Sequence, residues 1–334
     1  MTGTSESMGV CVGGRSQDGT HIPNVRRTDV VSAANRLNHR IRHTPILRLV
    51  GAEGTPRVAL KLESLQVSGS FKIRGATNRL LLDNGRHAGV AAVSGGNHGL
   101  AVALASRNLR LKADIFLPSC SPDHKLRQIR AAGANLHVVD GPFAEAASRC
   151  ADFVAANDAL LVHPFEDPAV IAGQGTLGLE ILEQSPDVTK VIVAVGGGGL
   201  AAGIVIALDG GAEVIAVEPK ACPSLAEALR AGMPVAAPVG GIAADSLGAP
   251  VIGEVAFSVL APSVRHAVTL SEKAILDAQQ QLWQEFRLAV EPAAACSWAV
   301  LESTEVSFAA DDCIVVVICG GNVNPQEMAA WASS

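Results

Sequence analysis

The chain has 334 residues, enough for two lobes of ordinary domain size with a substantial core. Its formal net charge is -6 and it contains no basic tract, which argues against nucleic acid or an anionic membrane as the main partner. No apolar run reaches the roughly 20 residues that a membrane helix needs, so we expect a small-molecule partner.

The first 24 residues are rich in Gly, Ser and Thr and lack the apolar segment of a signal peptide, which predicts a disordered tail. The seven cysteines form no CxxC pair and no His/Cys cluster, so neither a zinc site nor a disulfide framework is indicated. A reducing, cytoplasmic location is the simplest expectation.

The remaining chain alternates between strands and helices. A helix is predicted from Val25 to about His43, with Val30, Val31, Ala34 and Leu37 on one face. Strands are predicted at residues 46–49, 58–62, 89–93, 113–117, 135–139, 160–162, 191–195, 213–217, 266–270 and 313–318. Further helices are predicted at residues 76–82, 98–107, 122–132, 143–156, 168–182, 224–231 and 272–288.

Such alternation predicts an α/β fold with parallel strands joined by right-handed crossovers. We interpret residues 88–165 as a small domain inserted into a large one, which consists of residues 25–87 and 166–330.

Four glycine-rich turns each follow a predicted strand: 68–75, 94–98, 196–200 and 319–322. The carboxyl ends of parallel strands are where an open α/β sheet binds its ligand. The first turn, Ser-Gly-Ser-Phe-Lys-Ile-Arg-Gly, has Lys72 at its centre. Most lysines are solvated surface charges, but one between glycines and small hydroxyl residues can be partly desolvated, as a Schiff-base lysine requires.

The turn at residues 196–200 opens an apolar helix, so free backbone N–H groups and the helix dipole predict a phosphate site. A tight turn without a ligand is the simpler alternative. Gly196, Gly198 and Ala201 also fit the dinucleotide fingerprint, with Glu218 as the acid at the end of the next strand. A nicotinamide cofactor would leave the Lys72 and Asn97 turns unexplained.

The motifs SFKIRGA, SGGNHG, HPFEDPAVIAGQGT, GGGGL, VEP twice and CGGN occur in one order along residues 25–325. In this order they resemble the fold-type II pyridoxal-phosphate enzymes of the tryptophan synthase β-subunit superfamily, in the serine/threonine dehydratase and serine racemase branch. The resemblance implies two lobes, each a mainly parallel open sheet flanked by helices, a homodimer, and pyridoxal 5'-phosphate as cofactor. It also implies an ammonia-lyase that converts L-threonine or L-serine to a 2-oxo acid and ammonia by β-elimination.

The resemblance implies that Lys72 is the catalytic residue, which carries the cofactor and removes the Cα proton. It implies that Asn97 contacts the ring hydroxyl and that Cys319 faces the pyridine nitrogen. The cofactor-binding residues are then Phe71, Lys72, Asn97, Gly196, Gly197, Gly198, Gly199, Leu200, Glu291 and Cys319. The substrate-binding residues are Ser68, Ser94, Gly95, Gly96, Asn97, His98 and Gly241. Helix capping by Ser94 and Asn97, an inert thiol at Cys319 and a structural Glu291 are the alternatives.

Two departures from the racemases disfavour racemisation. Gly95 stands where racemases have a second serine, and Phe165 stands where they have Asn. Some relatives bind a divalent cation with two acids, the first matching Glu218, but the second position is Ser224 here, so no metal ligand is assigned.

Several functions stay open beside the dehydratase. A larger 3-hydroxy amino acid, such as phenylserine or hydroxyaspartate, can be the substrate, because no residue fixes the side-chain pocket. Racemisation, β-replacement and cofactor or amino-acid binding without turnover are further alternatives. The chain ends soon after Cys319, so we expect no regulatory domain and a catabolic or specialised enzyme.

Overall fold

The computed structural model describes residues 24–265 and 267–324. The predicted tail lies outside these ranges, apart from residue 24, and so does His266. The larger sheet has six strands in the order β1-β2-β10-β7-β8-β9. Only the β1–β2 pair is antiparallel within it. Its strands are β1 (Ile46–Arg48), β2 (Arg57–Leu62), β7 (Lys190–Ala194), β8 (Glu213–Pro219), β9 (Val268–Leu270) and β10 (Cys313–Ile318).

The smaller sheet has four strands in the order β5-β4-β3-β6, all parallel. Its strands are β3 (Gly89–Val93), β4 (Ala113–Pro118), β5 (Asn135–Val139) and β6 (Ala159–Leu161). The predicted α/β fold with two mainly parallel sheets is confirmed. The domain boundaries at residues 88 and 165 stay a prediction.

Helices flank both sheets. They are α1 (Arg27–Leu37), α2 (Lys72–Asp83), α3 (Asn97–Leu109), α4 (Asp123–Ala131), α5 (Phe143–Asn157), α6 (Pro168–Gln184), α7 (Gly199–Leu208), α8 (Ser224–Ala231), α9 (Ala244–Leu247), α10 (Glu254–Ser263), α11 (Glu272–Phe286) and α12 (Pro292–Ala299). A 3-10 turn, Glu63–Leu65, follows β2. Strand β10 is buried along its whole length, as expected for a central parallel strand covered on both faces.

Helices α9 and α10 were not predicted from the sequence, and α12 was indicated only by the alternative that Glu291 stands at a helix start. Helix α12 is buried on every side from Ala293 to Ala299, so it has no amphipathic period to detect. Helix α10 includes Pro262 in its last turn, and a proline in a sequence pattern indicates the end of a helix. The prediction for α1 is wrong at its end, which is Leu37, and on its face, because Val31 is 40% exposed while Ala33 is buried.

Within the described ranges, no helix combines the length and the hydropathy needed to cross a bilayer. The six cysteines of these ranges are all unpaired, and only Cys120 is exposed.

Candidate active site

A cavity of about 930 Å³ lies where the carboxyl ends of β3, β6, β7 and β10 meet. Its walls include most residues that the sequence analysis selected. These are Phe71, Lys72, Ser94, Asn97, His98, the loop from Gly196 to Leu200, and Cys319. The turns that follow four separate strands therefore do contribute to one site, as the parallel topology predicts.

Lys72 is the first residue of α2 and is half-buried in the wall of the cavity. Its Nζ donates a hydrogen bond of 3.0 Å to the backbone oxygen of Pro164 and lies 5.2 Å from the centre of the Phe71 ring. Burial lowers the pKa of the Lys72 amine to about 8. About a tenth of the amine is then neutral at pH 7, far more than for a solvated lysine.

The stretch before Lys72 is fixed by the turn after β10. The Phe71 amide donates to the Cys319 carbonyl at 3.0 Å, and the Gly321 amide donates to the Gly69 carbonyl at 2.9 Å. Gly69 has φ +72, and a Cβ there would lie 2.1 Å from the Asn322 side chain. Both the backbone conformation and the close contact therefore require glycine, which explains the Ser-Gly-Ser sequence ahead of the lysine.

Two positions after Lys72, Arg74 is fully buried and anchors the first turn of α2. Its guanidinium donates to both oxygens of Glu63 at 2.7 Å and to both oxygens of Glu180 at 2.6 and 3.0 Å. Lys61 pairs with Glu180 at 2.5 Å. Burial alone would raise the pKa of Glu180, but Arg74 and Lys61 lower it. Two cations and two carboxylates thus form a cluster without net charge next to the start of α2. Within it, Arg74 binds each carboxylate through two hydrogen bonds.

The glycine loop is shaped by contacts that leave no room for side chains. A Cβ on Gly197 would lie 2.2 Å from the Phe165 ring, and one on Gly198, where φ is +85, would lie 2.7 Å from Ala256. The Gly196 carbonyl accepts from Ser224 and the Gly197 carbonyl accepts from the Gly253 amide. The first N–H groups of α7 have no partner within the helix, so the loop offers donors to an anion.

Glu218 lies behind this loop and caps α8. Its carboxylate accepts from the amides of Leu225 and Ala226 at 2.7 and 2.8 Å and lies 3.2 Å from the Ser224 hydroxyl. The same hydroxyl donates to the Gly196 carbonyl at 2.7 Å. Burial raises the pKa of Glu218 to about 7. Glu218 is therefore an internal support of the loop and is completely buried.

Asn97 has a fixed amide orientation. Its Nδ2 donates to both oxygens of Glu291 at 3.0 and 2.8 Å, and its Oδ1 accepts from Asn322 at 2.7 Å. Because both acceptors belong to one carboxylate, a single Nδ2 proton points between them, and the other remains for a further acceptor. Glu291 begins α12 as its N-cap residue but makes no side-chain cap bond, so its carboxylate is used by the Asn97 cluster.

Cys319 follows β10 and lines the cavity. Burial, together with the negative charge of Glu291, raises the pKa of the Cys319 thiol well above its usual value. The thiol is therefore neutral at physiological pH. A ring nitrogen beside it would meet a neutral group and not a carboxylate.

The loop of Ser94, Gly95 and Gly96 precedes α3. Of these three, only Ser94 lines the cavity, and its Oγ accepts from the Gly96 amide at 3.1 Å. A Cβ on Gly95 would lie 2.2 Å from the Ser121 hydroxyl. His98 is buried and contacts the Val162 carbonyl through Nε2 at 2.8 Å, and burial lowers its pKa to about 3. His98 is thus a neutral ring that joins α3 to the end of β6.

Four of the expected substrate residues lie apart from the cavity walls, namely Gly95 and Gly96, described above, and Ser68 and Gly241. Ser68 is buried, and its hydroxyl donates to the Ser70 carbonyl at 3.0 Å. Gly241 has φ +77, and a Cβ there would lie 1.8 Å from a Glu272 oxygen. Both shape the chain beside the site and do not line it. Their roles in substrate binding stay predictions.

Several polar residues of the site were missed by the sequence analysis, among them His163, Asp245 and Lys125. His163 lines the cavity, and its Nδ1 accepts from the Glu166 amide at 2.8 Å. Asp245, on the unpredicted helix α9, also lines the cavity and pairs with Lys125 of α4. Lys125 is buried and also reaches Glu291 at 3.4 Å. His163 stands in the HPF motif, which could have indicated it, whereas nothing local indicates the Lys125–Asp245 pair.

The residues present fit a phosphorylated pyridine aldehyde. The amine of Lys72 is desolvated for attack on an aldehyde, and the glycine loop offers amide donors to a phosphate. Asn97 has a free donor for a ring oxygen, and Cys319 offers a neutral thiol. A side chain at Gly197 would clash with Phe165, and one at Gly198 would clash with Ala256, so both positions leave the backbone amides of the loop uncovered.

A sequence model of the family described as "Pyridoxal-phosphate dependent enzyme" matches residues 37–320. An L-threonine ammonia-lyase of Thermotoga maritima is 37% identical over 273 residues, which are 80% of this chain and 67% of the relative. A catabolic L-threonine dehydratase of Staphylococcus aureus is 33% identical over 306 residues, which are 89% of this chain and 88% of the relative. The structure of maize serine racemase superimposes with a TM-score of 0.85 at 28% identity, covering 92% of this chain and 96% of the racemase.

Proposed function

The chain belongs to the family of pyridoxal-phosphate dependent enzymes, and from this premise we propose that it is an ammonia-lyase that deaminates L-threonine, and L-serine as a second substrate. Its relatives at 33–37% identity are named L-threonine ammonia-lyase or L-threonine dehydratase. The observation that carries the proposal is the desolvated amine of Lys72 in one cavity with the glycine loop. The dinucleotide interpretation of that loop is dropped, because Glu218 is buried and caps α8.

Bound pyridoxal phosphate supplies an aldehyde for the substrate amine and an electron sink for the charge left at Cα. The loop from Gly196 to Leu200 would hold its phosphate through backbone amides. Asn97 would donate to the ring oxygen, since Glu291 fixes the amide so that Nδ2 is the donor. Cys319 would offer a neutral thiol to the ring nitrogen.

A Lys72 amine that is not bound to the cofactor would be free to act as a base. Its pKa of about 8 places it near the working pH, where a general base is most efficient. We assign to Lys72 the removal of the Cα proton. The Pro164 carbonyl, 3.0 Å away, holds Nζ in the cavity.

The backbone amides at the start of α3 and the Ser94 hydroxyl bind the substrate carboxylate. The β-hydroxyl leaves as water, and the released enamine is hydrolysed to the 2-oxo acid and ammonium. The water lost in the first step returns in the second, so the net products are one oxo acid and one ammonium ion.

Racemisation is the second candidate, because maize serine racemase shares the fold at a TM-score of 0.85. Racemisation needs an acid on the face of Cα opposite Lys72. The Gly95 position offers none, and a larger residue there would collide with Ser121 unless that side chain moved. The geometry therefore favours elimination.

A homodimer and a cytoplasmic location belong to the same proposal. The homodimer is supported by the resemblance in sequence motifs. The location is supported by the six cysteines of the described ranges, none of which forms a disulfide.

Product analysis tests the proposal. Purified holoenzyme is incubated with L-threonine and separately with L-serine, and the 2-oxo acid, ammonium and both enantiomers of the amino acid are measured. We expect oxo acid and ammonium in equal amounts, with no D-amino acid. Accumulation of the D-enantiomer without ammonium would replace the lyase by a racemase.

A further inference from the structure

Seven of the apolar residues that line the cavity form what we call the apolar section. They come from helix α5, from the end of strand β6 and from the segments on either side of helix α9. These residues are Phe143, Ala147, Ala151, Leu161, Val239, Pro250 and Val251. None of them belongs to the groups assigned to the cofactor.

The larger of these side chains are exposed although they are apolar. Phe143 is 54% exposed, Val239 is 50% and Leu161 is 41%. Contiguous exposed apolar surface in a cleft is typical of a binding site, because leaving it in water is unfavourable. Ala147 and Ala151 follow Phe143 at four-residue intervals on one face of α5, and their small side chains leave space beside it. The section therefore suits an apolar group that is larger than the methyl of threonine.

The charges of the cavity favour the same class of ligand. Among the residues that the structure describes, its walls carry three carboxylates, Glu166, Asp245 and Glu254, and Lys72 is the one lysine or arginine. Lys125, behind Asp245, is already paired with two carboxylates. A second carboxylate on the substrate would meet this negative field without a free counter-charge.

We propose that the preferred substrate is a 3-hydroxy amino acid whose Cβ carries an uncharged, apolar group larger than methyl, such as phenyl. This proposal rests on the β-elimination argued above and specifies its substrate class. The Cα proton passes to Lys72, the Cβ–O bond breaks, and one proton is returned to the departing hydroxyl, which leaves as water. The released enamine tautomerises to an imine, and water then replaces its nitrogen. 3-Phenylserine then gives phenylpyruvate and ammonium, and L-threonine, whose Cβ carries only a methyl, is a smaller and less preferred substrate of the same reaction.

The test compares L-threonine, L-threo-3-phenylserine and L-threo-3-hydroxyaspartate on the holoenzyme. Rates are read from the 2-oxo acid, and dissociation constants are read from the change in the visible band of the cofactor. We expect phenylserine to exceed L-threonine by about tenfold or more in kcat/KM, and hydroxyaspartate to fall about tenfold or more below it.

Variants on α5 test whether the apolar section selects the substrate. Ala147→Phe and, independently, Ala151→Phe fill the section, so the preference for phenylserine over L-threonine should fall by about tenfold or more. Ala156→Phe is the matched control, because Ala156 is exposed, lies outside the cavity walls and is nine residues from Ala147, on the opposite side of the helix.

Two results would overturn the substrate class. One is hydroxyaspartate bound or turned over as well as L-threonine, and the other is no saturable spectral change with phenylserine. If wild type and both α5 variants prefer phenylserine over L-threonine to the same degree, the apolar section does not select the substrate. If no substrate yields oxo acid, the proposed lyase fails, and the substrate class is still decided by the three dissociation constants.

Discussion

Lys72 and Pro164 are joined by a hydrogen bond of 3.0 Å between the lysine Nζ and the proline backbone oxygen. Lys72 follows β2 of the six-stranded sheet, whereas Pro164 follows β6 of the four-stranded sheet. The amine is thus placed by both sheets, at the cavity between them. Its position and its lowered pKa are properties of the whole fold and not of the local motif.

The first prediction concerns cofactor loading. Burial lowers the pKa of the Lys72 amine to about 8, so its neutral, nucleophilic fraction grows between about pH 7 and pH 9. The rate at which added pyridoxal phosphate forms the visible band on apoprotein should rise over this range and then level off. Stopped-flow absorbance measures it, with N-acetyl-lysine in the same buffers as the control for ionisation of the aldehyde. A rate that still rises beyond about pH 10 would mean an ordinary, solvated lysine.

The second prediction concerns the buried charge cluster behind Lys72. Arg74→Met leaves Glu63 and Glu180 with Lys61 as their only counter-charge in the cluster, and it should reduce the free energy of unfolding by about 3–5 kcal/mol. Urea denaturation of the apoprotein measures the change. Lys273→Met removes an ion pair with Asp277 whose side chains are 83% and 58% exposed, so that control should lose less than about 1 kcal/mol. Equal effects of both variants would contradict the anchoring role of Arg74.

The third prediction concerns the glycine loop. In Gly197→Ala the new Cβ would lie 2.2 Å from the Phe165 ring, so the loop must shift and cofactor affinity should fall by about tenfold or more. Equilibrium dialysis measures the affinity. Adding Phe165→Leu should restore part of it by relieving the contact. Gly89→Ala is the control, because its Cβ meets nothing closer than 3.6 Å. An unchanged affinity in Gly197→Ala would remove the loop from the cofactor site.

The fourth prediction concerns Glu218, whose pKa burial raises to about 7 from an ordinary value near 4.5. The folded protein then holds this proton more tightly than the unfolded chain, so the carboxyl group contributes less stability as the pH rises from about 5 to about 8. Glu218→Gln cannot titrate. The free energy of unfolding of the variant, minus that of wild type, should therefore increase from about pH 5 to about pH 8. Urea titrations at these two pH values measure the difference. A difference that is the same at pH 5 and pH 8 would contradict the raised pKa.

Much of the fold is predictable because the strands are apolar and β-branched. The predicted strands at residues 89–93, 135–139 and 313–318 match β3, β5 and β10 to the residue. Helix α12 is not predictable in this way, because it is buried all round and its sequence lacks a helical period. Helix α2 begins at Lys72 itself and not four residues later, since the bonds of Gly69 and Phe71 to the β10 turn fix its start.

The residues of the candidate site likewise include some that the sequence predicts and others that only the structure shows. Asn97, the glycine loop and Cys319 stand in the turns that follow strands, and Lys72 follows β2 after the 3-10 turn, so their meeting follows from parallel topology. The Lys125–Asp245 pair joins residues 120 positions apart. Asp245 lies on α9, a helix of four residues that gives no sequence signal. Ser68 was expected beside the substrate, but its hydroxyl bonds to the nearby Ser70 carbonyl. Sequence motifs thus find groups at strand ends, whereas pairing across the cleft needs the structure.

The most direct test of the central claim is the absorbance spectrum of wild type and Lys72→Ala, recorded with and without L-threonine while the 2-oxo acid is assayed in the same tube. We predict a visible band in wild type that changes with substrate as oxo acid accumulates, and neither band nor product in Lys72→Ala. Lys112→Ala, which removes an exposed lysine, should behave as wild type. A visible band and oxo acid production that persist in Lys72→Ala would contradict the account, because another residue would then carry the cofactor.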